Sequence, residues 1–197
     1  MEQIKKVILL AGPTGSGKSK LAIRLAQHFD SEIINADSMQ IYKEFSILTS
    51  KPNLQDIKIV KHHLYGFHSV KKKFSTGHWL SMVAKKIEDQ WKDGKIPIVV
   101  GGTGLYFKAL TNGLAKIPKI PKYLTTETRK SQKKIGQKKF YRKLIKLDPN
   151  AKKFILASDV QRSLRAYEVK KFTNKSLYDF IKETEPYFNT NIFSKLF

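Results

Sequence analysis

The sequence contains no cysteine. Disulfides and thiolate metal sites are thereby excluded, a composition that fits a reducing cytoplasm. It also has no apolar run near the roughly 20 residues that a membrane-spanning helix needs, so no membrane partner is expected. Met1 to Lys6 lead directly into a short apolar stretch that ends at a glycine-rich loop, which reads as a first strand and not as a secretion signal. Acids are few, 16 against 38 basic residues, and only five of the basic residues are arginine: Arg24, Arg129, Arg142, Arg162 and Arg165. That is a thin supply for a small-molecule kinase, which commonly sets several arginines over the phosphoryl group in transfer.

What is present is a 197-residue chain with 41% hydrophobic residues, enough for one α/β domain and a smaller appendage. The formal charge is +22. Such an excess favours polyanionic partners, although a lysine-rich balance is also what an AT-rich genome produces. Its distribution says more. Residues 116–153 carry 14 Lys and Arg against two acids, Glu127 and Asp148, a local charge of +12. A basic block beside a less charged domain suggests an appendage facing nucleic acid; the plainer alternative is a solvated helical surface.

Val7 to Ala11 is a short apolar run ending at Gly12-Pro13, as a buried parallel strand does. Leu21, Ala22, Leu25, Ala26 and Phe29 then recur at helical spacing. Glu32 to Ala36 predicts a second strand ending at Asp37, and Ile96 to Val100 a third ending at Gly101. Between them Trp79, Val83, Ile87 and Trp91 give one apolar face to a helix over Gly77 to Lys92, and Leu105 opens another helix. Residues 43–75 give few signals. Strand alternating with helix predicts parallel βαβ units, with ligands bound outside the carboxyl ends of the strands. After Pro118 and Pro121 the pattern turns helical, roughly Thr126 to Lys146 and Ser158 to Phe172, with a capping-box start at Ser176 and Asp179. Ile192 to Phe197 reads as one more strand.

Gly12-Pro13-Thr14-Gly15-Ser16-Gly17-Lys18-Ser19 fits G-x-x-x-x-G-K-[ST] between a strand and a helix, the context a P-loop requires. Glycines let backbone amides turn inward around phosphate oxygens, and the helix start adds its positive dipole end. Lys18 is placed to neutralise a phosphate, and the Ser19 hydroxyl to ligate Mg²⁺. The loop does not reveal the reaction. Asp37 suits either an acid that organises Mg²⁺, as in kinases, or a general base. Arg162 and Arg165 share a helix face and suit either surface ion pairs or phosphate contacts.

Six stretches in order resemble the motifs of one family: Gly12 to Ser19, Asn35 to Tyr42, Ser50 to Asn53, His62 to Leu64, Gly101 to Phe107 and Asp159 to Glu168. The chain is similar, from Val7 to about Phe188, to the tRNA dimethylallyltransferases, also called tRNA isopentenyltransferases. The resemblance implies an α/β fold with a P-loop NTPase-like parallel sheet and an inserted basic helical domain. It implies transfer of a dimethylallyl group from dimethylallyl diphosphate to N6 of adenosine 37 in tRNAs reading codons that begin with U. Mg²⁺ would be the cofactor and the tRNA anticodon stem-loop the macromolecular partner, for a cytoplasmic monomer.

Carried over by position, Asp37 resembles the family's general base and Thr103 the residue that meets the leaving group. Gly12, Pro13, Thr14, Gly15, Ser16, Gly17, Lys18 and Ser19 match the diphosphate cradle, with Ser19 as metal ligand. Asp37, Ser38, Met39, Gln40, Thr103, Thr125, Gln161, Arg162, Ser163, Leu164 and Arg165 match tRNA-contact positions. The expected organisation is a core over 1–115, a helical tRNA-binding insertion over 116–188 and a return to the core over 189–197. The family's later Arg-x-x-Gly-Tyr-type motif has no counterpart before Phe197, and the expectation is a C-terminally truncated member. Two alternatives stand beside it: a P-loop nucleotide or small-metabolite kinase, and a non-catalytic tRNA-binding remnant.

Overall fold

The computed structural model describes residues 5–45 and 49–196. Met1 to Ile4 of the leading segment and Phe197 of the closing one lie outside the described residues. The chain divides into two compact units, Met1–Gly113 with Pro186–Phe197, and Leu114–Glu185.

In the first unit β1 (Val7–Ala11) is followed by α1 (Lys18–His28), β2 (Ile33–Asn35), α2 (Leu54–Ile59), β3 (His62–His63), α3 (Thr76–Lys92), β4 (Ile98–Gly101) and α4 (Gly104–Asn112). The five strands of its sheet, with β5 (Phe193–Leu196) supplied by the end of the chain, run in the order β3-β2-β4-β1-β5. Among the described residues every pairing is parallel, so the α/β parallel-sheet expectation holds. β1, β2 and β4 are buried almost throughout, which is why they read as unbroken apolar runs and not as alternating ones. β5 is the most exposed, as suits an edge.

Register decides where the loops emerge. Ala11 pairs with Gly101, and Asn35 pairs with Val100. The carboxyl ends of β1, β4 and β2 therefore finish level, at one edge of the sheet. Trp79, Val83, Ile87 and Trp91 are buried along α3 as their spacing predicts. On α1 the buried face is narrower than expected. Ala22 and Ala26 are buried, whereas Leu21 is 41% and Phe29 39% exposed. Small residues let this helix lie close to the sheet, leaving its larger flanking side chains outside.

The second unit consists of α5 (Lys122–Ile135), α6 (Gln137–Leu147), a 3₁₀ turn at Pro149–Lys153, α7 (Val160–Thr173) and α8 (Leu177–Lys182). The single helix expected over Thr126 to Lys146 is corrected to two. Gly136 adopts φ +78°, a conformation that ends α5 and lets α6 start in a new direction. The unit has its own core, built around Phe140, Leu144, Leu164 and Tyr167. Ser176 and Asp179 form the expected capping box on α8, and the Ser176 hydroxyl also donates to the buried Asp148 carboxylate at 2.7 Å.

Candidate active site

The P-loop leaves β1 at Gly12, whose amide donates to the Gly101 carbonyl at 3.3 Å. Gly15 and Gly17 sit at φ +84° and +81°, conformations that favour glycine and turn the loop around a hollow. Among the described residues no side chain caps the start of α1, and its first turn holds no acid. The opening amides of that helix thus keep unmet donors and a positive dipole end toward the loop. Thr14, Gly15, Ser16, Gly17 and Ser19 are exposed along the cradle, and the Lys18 ammonium donates to the Pro13 carbonyl at 2.9 Å.

Asp37 follows β2 at the same edge. Its Oδ1 accepts the Met39 amide at 2.9 Å, a local turn that Asp favours. The Ser38 amide donates to Thr103 Oγ1 at 2.9 Å, and the Thr103 hydroxyl donates to Ser38 Oγ at 3.2 Å. The Thr103 amide in turn donates to the Ala36 carbonyl at 3.1 Å. Two loops that are 65 residues apart in sequence are therefore pinned together by backbone and hydroxyl bonds.

Two glycines make this approach possible. A Cβ on Gly101 would lie 2.2 Å from the Ala36 carbonyl carbon and oxygen. A Cβ on Gly102 would lie 3.4 Å from the Gly12 carbonyl oxygen and 3.6 Å from Asp37 Oδ2. Gly102 is thus flanked by both the phosphate loop and the carboxylate. Thr14 of the cradle and Asp37 line one open cleft of about 400 Å³, with Met39, Phe45, Thr49 and Ser50. Trp79 stacks on Tyr106 at 4.2 Å, and burial, Tyr42 and Asp37 together push the Tyr106 hydroxyl up to about 12.

The structure thus brings Asp37, Ser38, Met39, Gln40, Thr103 and the cradle to one edge. Gln40 spans outward, donating from Nε2 to the Thr49 and Ser50 carbonyls at 2.7 and 3.1 Å. Thr125 and the stretch Gln161 to Arg165 belong to the second unit. There Gln161, Arg162 and Arg165 are exposed on α7. Ser163 and Leu164, placed with them from sequence, are buried at 0% and 6% exposure. The Ser163 hydroxyl donates to the Asp159 carbonyl at 2.6 Å, and both side chains face the interior of the unit. Thr125 is half-buried, its hydroxyl donating to the Lys122 carbonyl at 2.9 Å.

The same unit exposes Arg129, Lys130, Lys133, Lys134, Lys138 and Lys139, none of which forms an ion pair among the described residues. Arg162 pairs with Asp159 at 3.4 Å on the surface. One side chain of the site lies within a motif, yet sequence reasoning gives it no part in the chemistry: Asn35, fully buried beside Asp37. The signal for it is an Asn two residues before an acid at a strand end.

A family model described as IPP transferase matches residues 40–195. The chain is 55% identical over 196 residues to a tRNA dimethylallyltransferase of Pelagibacter ubique, covering all of this chain and 63% of that protein. Among solved structures, a eukaryotic dimethylallyltransferase acting on tRNA superimposes with a TM-score of 0.81 at 33% identity, covering 97% of this chain and 47% of that one. The tRNA isopentenylpyrophosphate transferase of Bacillus halodurans gives a TM-score of 0.56 at 30% identity, over 89% and 58% of the two chains. The chain spans less than two thirds of the length of these relatives.

Proposed function

The chain belongs to the IPP transferase family, and from that premise we propose that it transfers a dimethylallyl group from dimethylallyl diphosphate to N6 of adenosine 37 in tRNA. The observation that carries this reading is the shared cleft, lined both by Thr14 of the phosphate cradle and by Asp37. The transfer needs a leaving diphosphate and a proton-accepting carboxylate within one substrate's reach, and the cleft offers a place for both.

An exocyclic adenine amine is a weak nucleophile, because its lone pair is delocalised into the ring. The allylic carbon compensates by releasing diphosphate readily once the leaving charge is neutralised. The cradle amides and Lys18 supply that neutralisation in fixed positions, at no cost of reorganisation during the reaction. Asp37 accepts the N6 proton as the new C–N bond forms, a contribution of about 10²–10⁴-fold. Thr103, bonded to Ser38, holds the carboxylate loop against the cradle side of the cleft. Ser19 offers an exposed hydroxyl at the start of α1, a hard oxygen donor that fits Mg²⁺ shared with a diphosphate. Bound there, Mg²⁺ would add to the neutralisation of leaving charge.

The second unit, with its exposed cations and with Gln161, Arg162 and Arg165 on the surface of α7, is the part we assign to gripping the anticodon stem-loop. The target base leaves its stack to reach the cleft, and loop nucleotides are the least costly place for that. Among the described residues no helix is long and apolar enough to cross a membrane. A cytoplasmic monomer suits this substrate.

The test is incubation with radiolabelled dimethylallyl diphosphate, Mg²⁺ and unmodified tRNA, with an ATP-only control. Label in the RNA is expected. Phosphoryl transfer from ATP would point instead to a kinase, and RNA binding with neither activity to a non-catalytic remnant.

A further inference from the structure

Asn35 is 0% exposed, and its side chain is fully engaged with backbone. Oδ1 accepts the Asp37 amide at 2.8 Å. Nδ2 donates to the Asp37 carbonyl and to the Leu64 carbonyl, both at 3.0 Å. The Asn35 carbonyl accepts the indole N–H of buried Trp79 at 2.9 Å. One amide side chain thus holds both backbone polar groups of the residue that carries the carboxylate. It also holds Leu64, a non-glycine residue at φ +62°, in a conformation that persists only where the surroundings enforce it. No other side chain of this size offers an acceptor and two donors at such a spacing, and an apolar residue would leave three partly buried backbone groups without these partners.

The carboxylate beyond this clamp has two unlike oxygens. Oδ1 is committed to the Met39 amide. Oδ2 is the oxygen that approaches Gly102, 3.6 Å from where a Cβ there would lie. We propose that Asn35 is a positioning residue which, by gripping the Asp37 backbone, commits Oδ1 to Met39 and leaves Oδ2 as the oxygen that takes the N6 proton. The proposal rests on the reading of Asp37 as base given above. In that step the N6–H bond breaks and an O–H bond forms on Oδ2. The electron pair on N6 forms the C1–N6 bond as the C1–O bond to diphosphate breaks, its electron pair leaving on the diphosphate.

Two variants test it. Asn35→Asp keeps the shape and the acceptor but loses both donors; Asn35→Ala loses everything. Both should lower kcat about 10–100-fold, the scale of a misplaced reacting group, while KM for dimethylallyl diphosphate and for tRNA moves little. In Asn35→Asp the acid limb of the kcat–pH profile should shift upward, because a second carboxylate beside Asp37 favours its protonated form. An arm independent of activity is amide hydrogen exchange of Asp37 and Met39 in the free protein, read by NMR. Both amides should exchange faster in Asn35→Ala, and the Met39 amide in Asn35→Asp, which keeps the acceptor for the Asp37 amide; the β1 amides should be unchanged in both. Normal kcat with an unmoved acid limb, or unchanged exchange at Asp37 and Met39, would overturn the clamp. If the unmodified protein transfers no label, the transferase reading falls, and the exchange arm still decides whether Asn35 holds Asp37. Should Asn35→Ala fail to fold, Asn35→Asp carries both arms, with exchange read at Met39.

Discussion

The two units present positive potential to an anion by opposite means. The first unit uses geometry: a glycine loop at positive φ and one uncapped helix start, with Lys18 the only cation of the motif. The second uses quantity: a run of exposed Lys and Arg on α5 and α6. The difference follows from what each would have to hold. A diphosphate is a compact group whose charge must be met at fixed points as it leaves, which rigid backbone does well. An RNA backbone is extended and repeating, so long mobile side chains can meet it in many registers, and the binding is dominated by counterion release. Geometry of the first kind tolerates little substitution. Charge of the second kind is diluted over many positions.

The contrast can be broken by experiment, beginning with the largest effect. Asp37→Ala should reduce single-turnover transfer by at least about 10²–10⁴-fold, with tRNA affinity by filter binding unchanged. A parallel fall in tRNA affinity would mean that the two functions do not divide between the units. Lys18→Ala should weaken binding of inorganic pyrophosphate about 10–100-fold by calorimetry, the scale of a charge-assisted hydrogen bond, again without effect on tRNA. Gly101→Ala places a methyl group 2.2 Å from the Ala36 carbonyl. It should cost about 1–3 kcal/mol in thermal unfolding, as overpacking does.

The combined variant Lys130→Ala, Lys133→Ala, Lys134→Ala should sharpen the comparison from the other side. The slope of log affinity for tRNA against log salt should shrink by about 2, at about 0.7 for each phosphate no longer neutralised. Pyrophosphate binding should stay as it was. An unchanged slope would take the basic block away from the RNA.

The smallest effect lies away from the cleft, at Glu32. Burial works to raise its carboxyl, but hydrogen bonds from His63 and Lys95 outweigh it and hold the group below the ordinary carboxylate range. A depressed carboxylate contributes stability that is in place above the unfolded value, about 4.3 for Glu, and is lost as pH falls through the lower folded value. The stability gap between the native sequence and Glu32→Gln should therefore be constant near neutrality and close in acid, as read by denaturant midpoints.

Much of this architecture is legible in the sequence. β1, β4 and α3 show in the apolar pattern because they are buried on two faces or along one clean stripe. α2 and β3 do not show. The first is a six-residue helix that leaves Leu54, Ile57 and Ile59 exposed, and the second is a two-residue strand whose pairing comes from its neighbour and not from its own residues. The break between α5 and α6 turns on Gly136 alone, in a stretch whose lysines suit a helix throughout. Gln161 to Arg165 read as one contact segment, yet helical geometry sends Ser163 and Leu164 inward, because a single helix cannot present consecutive residues to the same side.

By itself the sequence determined the phosphate loop, the parallel α/β core, the concentration of positive charge and the family, because each is written in local spacing or composition. That the loops at Gly12, Asp37 and Gly101 share one edge also follows from parallel βαβ units. Only the tertiary structure decided how closely they meet, with Gly102 flanked by the Gly12 carbonyl and Asp37 Oδ2, and that a buried Asn35 holds the Asp37 backbone there. Those facts depend on strand register, Ala11 against Gly101 and Asn35 against Val100, and register is set by the packing of the whole sheet.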